Sequence, residues 1–154
     1  MTFDNTLTAV VYLIAVFILF FIGKIIYDKL YTSFDLQEEL VKNDNFALGL
    51  ALFGYYFGMV IAIGGVLQSE SQGLVDDLIG IFTYGLAAII LQNISIRIND
   101  KIIFHKFDNI KELIEDRNPG IGIAEAANHI AIGLVLYGAM SGEGDLVTAA
   151  AFWL

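Results

Sequence analysis

Residues 45–67 read NFALGLALFGYYFGMVIAIGGVL, an asparagine followed by twenty-two residues with no charge and no proline. At about 1.5 Å of rise per residue, such a run reaches across the roughly 30 Å hydrocarbon core of a bilayer. Three further apolar blocks lie at 7–23, 78–91 and 121–140. The first gains reach through Ile25, Ile26 and Tyr27, the third through the semi-polar stretch 92–98. Four such blocks in 154 residues leave almost no polar surface for a soluble fold. The expected class is all-α: a polytopic membrane bundle of four transmembrane helices in the lipid bilayer.

The composition agrees. Charged residues make up 16% and hydrophobic residues 57%, where a soluble domain carries about 25% charged residues. The mean hydropathy is +0.71. A formal net charge of −9 argues against nucleic acid as a partner, and against anionic lipid as the main one. There is no cysteine, so disulfide, iron–sulfur and thiolate–metal chemistry are excluded. The N-terminus lacks a basic n-region and carries Asp4, so it does not read as a cleaved signal peptide.

All eight basic residues fall in two connections: Lys24, Lys29 and Lys42, then Arg97, Lys101, Lys106, Lys111 and Arg117. The positive-inside rule places 24–44 and 97–117 in the cytoplasm, and the N-terminus, 68–77 and 141–145 outside. Asp35-x-x-Glu38 and Asp108-x-x-x-Glu112 each open a short amphipathic helical pattern, ending near Asn43 and Asp116. Asn45 and Asn118 then read as N-caps, with Pro119, the single proline, at a first helical position.

A shift of 73 residues, Asp35 to Asp108, matches the chain to itself. Lys24, Glu39, Asn45, Gly49, Gly65 and Glu70 meet Arg97, Glu112, Asn118, Gly122, Gly138 and Glu143. The reading is two tandem two-helix repeats, 1–72 and 73–144. Two crossings return the chain to its starting side, so the repeats must be parallel. Residues 145–154 resemble 77–86 and read as the start of a third repeat and a fifth helix, from a longer protein, or as a tail in the outer interface.

The stretch 45–67, its second copy NPGIGIAEAANHIAIGLVLYGAM at 118–140, the acidic linker before each and the doubling together resemble the domain of unknown function 350 family. The resemblance covers nearly the whole chain. It implies a small bacterial inner-membrane protein of tandem two-helix units, with no catalytic residues to carry over. Members sit near genes for membrane-stress coat proteins, which implies a role in membrane maintenance. Glu125, Asn128 and His129 stand where the first repeat has Leu52, Tyr55 and Tyr56, so the resemblance says little about them.

Two constellations carry chemistry. Small residues at helical spacing form ridges suited to close helix packing: Gly54, Gly58 and Ala62, then Gly120 and Ala124, then Ala127 and Ala131. The same ridges serve packing within one chain or the seam of a homo-oligomer. The second constellation is Glu125, Asn128 and His129. Of seventeen carboxylates only Glu125 lies within an apolar span, and Asn128 and His129 follow on its face at i+3 and i+4. A charge there costs at least about 2.5 kcal/mol on insertion scales, so it is paired, neutralised or hydrated. Gln92, Asn93 and Ser95 lie at comparable depth and complete the candidate polar cluster. Three readings stand: a structural clamp, a proton or cation site, and a metal site. The third lacks ligands, because the other histidine, His105, lies in a cytoplasmic connection.

No enzyme and no cofactor is expected. There is no phosphate loop, no Ser or Cys nucleophile beside a histidine and no intramembrane Asp pair, and Gly64-Gly65 and Gly142-x-Gly144 read as caps or turns. Tyr27 and Tyr31 read as an inner aromatic belt, Phe152 and Trp153 as an outer one. Two functional classes follow. One is a structural or adaptor membrane component, acting as an oligomer or in a membrane complex, with a cytoplasmic protein partner at 33–44 and 100–117. The alternative is a small channel or transporter subunit with a proton or cation site at Glu125 and His129.

Overall fold

In the computed structural model, residues 3–68, 70–102, 108–141 and 146–153 are described, and all regular structure among them is helical. Helix α1 is Phe3–Leu30, α2 Phe46–Val66, α3 Leu74–Ile102, α4 Asn109–Ile114, α5 Pro119–Met140 and α6 Leu146–Trp153. Four of these are long and apolar enough to cross a membrane: Thr6–Leu30, Phe46–Val66, Leu74–Ile98 and Pro119–Met140. At 21 residues, α2 spans about 32 Å, the thickness of the hydrocarbon core. His105, Lys106, Gly142, Glu143, Gly144 and Asp145 lie outside the described residues.

Local chemistry sets the helix starts. The Asn45 side chain accepts the Leu48 N–H at 3.1 Å and opens α2. The Asn118 side chain accepts the Gly120 N–H at 3.0 Å and opens α5, with Pro119 where its missing N–H costs nothing. Before α3, Gly73 takes φ +119°, a conformation that side chains rarely adopt. Asp76 and Asp77 in the first turn then complement the helix dipole. The two linkers differ from each other. The first forms a short π-helical turn, Glu38–Lys42, where the sequence pattern implied an amphipathic helix, while the second forms α4.

Helices α2 and α5 pack against each other most closely. Ala47 faces Gly122, Gly54 faces Ala126, Gly58 faces Gly133 and Gly65 faces Tyr137. Both partners advance together, so the two helices run in the same direction. Helices α1 and α3 also run together, through Tyr12 with Asp77 and Leu19 with Gly85. The core between the pairs is filled by Leu19, Tyr55, Met59, Ile89 and Leu136. The outer face of α1 presents Leu13, Ile14, Phe17 and Phe21 at more than half exposure, as a lipid-facing helix should.

One end of the bundle carries Lys24, Lys42, Lys111 and Arg117, and is called the basic end here; the other carries Glu70, Asp76 and Asp77 and is the acidic end. Helix α6 packs back on α5, and the Trp153 indole N–H donates to Ser95 Oγ at 2.6 Å. Ser95 lies in the basic half of α3, so Trp153 does not sit in an aromatic belt at the acidic end. The indole needs an acceptor when half-buried, and the Ser95 hydroxyl provides it.

Candidate functional site

Glu125 and His129 stand one turn apart on the buried face of α5, with 5% and 2% exposure. Asn128 is half-buried at the edge of that face. Glu125 Oε2 lies 3.8 Å from His129 Nε2, within Coulombic reach and beyond a hydrogen bond. A hydrogen bond to the carboxylate comes from elsewhere: Asn109 Nδ2 donates to Glu125 Oε1 at 2.7 Å. Asn109 is the first residue of α4, whose cap, Asp108, accepts the Lys111 N–H. The linker helix is thereby tied to a carboxylate inside the fourth membrane span.

Gln92 and Asn93 are buried at the same depth and both bond to a different residue, Tyr55, while Asn93 Nδ2 also donates to the Ile89 carbonyl of its own helix at 2.7 Å. Gln92 Nε2 donates to the Tyr55 carbonyl at 3.0 Å, and Asn93 Nδ2 to the Tyr55 hydroxyl at 3.2 Å. That hydroxyl donates in turn to the Gly23 carbonyl at 3.1 Å, so Tyr55 joins α1, α2 and α3. Its ring meets the His129 imidazole edge-on at 5.8 Å. Gln92 Oε1 and His129 Nδ1 are buried with no hydrogen-bond partner among the described residues. Sequence reasoning missed Asn109 and Tyr55. Asn109 is sixteen residues from Glu125 and in another element, so no local spacing could join them.

A cavity of about 60 Å³ reaches the pair from the basic end, between Tyr27 of α1, Tyr31 just past its end, and Ile110 and Leu113 of α4. It has room for about two waters. Glu125 and His129 are the side chains here of the types that ligate metals; among the described residues no group of three His, Cys, Asp or Glu is gathered. The centre suits a proton: a carboxylate, an imidazole, an amide donor and access from the basic end.

The second candidate surface is the pair of linkers at the basic end. Asn45 Nδ2 donates to Glu39 Oε2 at 3.2 Å, and 73 residues on Asn118 Nδ2 donates to Glu112 Oε2 at 3.0 Å. The Asp35 side chain accepts the Glu38 N–H as Asp108 accepts that of Lys111. Asp44 and Arg117 each take a left-handed φ, 48° and 49°, before the capping asparagine. The linkers are also bound to each other: Asn45 Nδ2 donates to the Leu113 carbonyl at 2.8 Å, and Arg117 Nη1 to the Asn43 carbonyl at 3.1 Å. Outside the spans, the Asp116 carboxylate hydrogen-bonds the Lys111 ammonium at 2.6 Å and holds it above its ordinary pKa.

The predicted packing residues divide. Gly54, Gly58 and Ala62 are buried, and the first two lie against α5. Ala124 is half-buried, while Gly120, Ala127 and Ala131 are exposed. On α5 the close approach is made by Gly122, Ala126 and Gly133, the row beside the predicted one. The family model described as Domain of Unknown Function (DUF350) matches residues 1–140. No curated protein and no solved structure matches the chain.

Proposed function

The chain belongs to the DUF350 family, and from that premise we propose that it is a structural or adaptor component of the bacterial inner membrane, built from two parallel copies of a two-helix unit. The observation that carries this reading is the cross-tied pair of linkers. Asn45 to Leu113 and Arg117 to Asn43 join the two connections into one platform over the ends of α2 and α5. The recurrence of cap and linker hydrogen bonds at a spacing of 73 supports the doubling. In this reading the basic end is cytoplasmic. The exposed carboxylates of Glu38, Asp44, Glu115 and Asp116 face a basic partner protein there. The outward small residues Gly120, Ala127 and Ala131 serve a contact with a second copy.

Photo-crosslinkers placed at 38, 44 and 115 in living cells test the platform. The expected result is one discrete protein adduct, lost when Glu115 and Asp116 are both changed to lysine while the thermal transition is unchanged. Adducts only to lipid, or an adduct indifferent to charge reversal, would refute the adaptor reading.

A further inference from the structure

We propose that Glu125 is a proton-binding site opening only to the basic end, and that its protonation state sets the docking of α4. This goes beyond the adaptor reading and rests on a different part of the molecule. Three observations converge on it. The carboxylate is buried, yet a cavity with room for water leads to it between α1 and α4. Asn109 of α4 donates a hydrogen bond to it, and Ile110 and Leu113 of the same short helix wall the cavity. His129, 2% exposed and with Nδ1 unpartnered among the described residues, lies on the inner side of the same cavity.

Among the described residues, packed side chains and backbone fill the way on. Past His129 the α2–α5 seam is closed, with Gly58 against the His129 carbonyl and Gly133, and Gly65 against Tyr137. Met59, Ile63 and Leu136 fill the core at that level and beyond. A proton that enters from the basic end therefore leaves by the same way. This geometry is that of a sensor and not of a conducting pore.

The chemistry is a single reversible transfer. A hydronium in the cavity gives its proton to a Glu125 carboxylate oxygen and water remains. The charged carboxylate draws the Asn109 amide, because a hydrogen bond to an ionised acceptor is roughly twice as strong as a neutral one. The neutral acid draws it less, so α4 is docked at high pH and loosened at low pH. The titratable groups facing Glu125 are few. His129 is on its own helix, Tyr27 of α1 and Tyr31 just past the end of α1 face it, and Tyr55 stands behind His129 on α2. Helix α3 brings the neutral amides Gln92 and Asn93 near the centre. The charged residues of α4 are engaged elsewhere, Lys111 with Asp116 and Glu112 with Asn118.

The full chain in lipid vesicles tests this by infrared difference spectroscopy and amide hydrogen exchange across the acidic-to-neutral range. The expected result is a carboxylic acid C=O band that grows on acidification and is absent in Glu125→Gln. In step with that band, exchange at 109–114 accelerates on the order of tenfold, the loss expected when a charged hydrogen bond is weakened. In Asn109→Ala the band should persist while α4 exchanges fast at every pH. Vesicles loaded with a pH dye should show no Glu125-dependent proton flux. A band that titrates without any change at α4, or no titrating band in folded protein, would overturn the proposal. Proton flux lost in Glu125→Gln would overturn its one-sidedness. None of these readouts depends on an adaptor partner.

Discussion

Single residues decide where this chain departs from a plain apolar bundle. Asp44 and Arg117 hold left-handed backbone that costs a non-glycine residue roughly 1–2 kcal/mol. Arg117 has compensation in its bond to Asn43, whereas the Asp44 side chain is exposed. Asp44→Gly should therefore stabilise the protein by about 0.5–1 kcal/mol, net of the added chain entropy of the unfolded state. Thermal denaturation in detergent checks it, and a lower midpoint would show that Asp44 has a stabilising partner. Glu125 was legible as the carboxylate inside an apolar span, and His129 as its neighbour at helical spacing. Asn109 was not, because its meeting with Glu125 depends on where α4 lands.

At the scale of elements, the α2–α5 seam rests on backbone approach, and adjacent glycines there should respond in opposite ways. A Cβ at Gly65 would sit 2.6 Å from the Tyr137 carbonyl oxygen, and backbone cannot move aside cheaply. A Cβ at Gly64 meets nothing within 4 Å. Gly65→Ala should cost about 1–3 kcal/mol by overpacking, while Gly64→Ala should be neutral or stabilising by up to about 1 kcal/mol through helix propensity. Equal shifts in melting temperature for the two variants would mean that the parallel seam is misplaced. The small-residue spacing announced a close crossing of α2. It did not choose the row on α5, since Gly120, Ala124, Ala127 and Ala131 have the same spacing as Gly122, Ala126 and Gly133. Which row turns inward depends on the rotation of α5 about its axis.

For the whole molecule the exposed question is orientation. The positive-inside rule predicts, and the adaptor reading proposes, that the basic end is cytoplasmic. The chain has no cysteine, so single introduced thiols report without background. Glu70→Cys should label with an impermeant reagent in intact cells, and Lys111→Cys only after the membrane is opened. The opposite pattern would invert the molecule and place the cavity beneath α4 on the outside.

Apolar length by itself determined the class and the spans, because lipid accepts only backbone that satisfies its own hydrogen bonds, and a 22-residue apolar run has one way to do so. The Asn45 and Asn118 starts were equally local, since a cap bonds within its own first turn. Contacts between segments far apart in the chain were left to the tertiary structure. It set α2 beside α5 in parallel, turned Gln92 and Asn93 toward Tyr55, brought Trp153 back to Ser95, and laid Asn109 on Glu125. In lipid these partners are not sorted by hydrophobicity, which is nearly the same on every face of every helix. They are sorted by which surfaces approach most closely and which polar groups must meet, and that is a property of the assembled bundle.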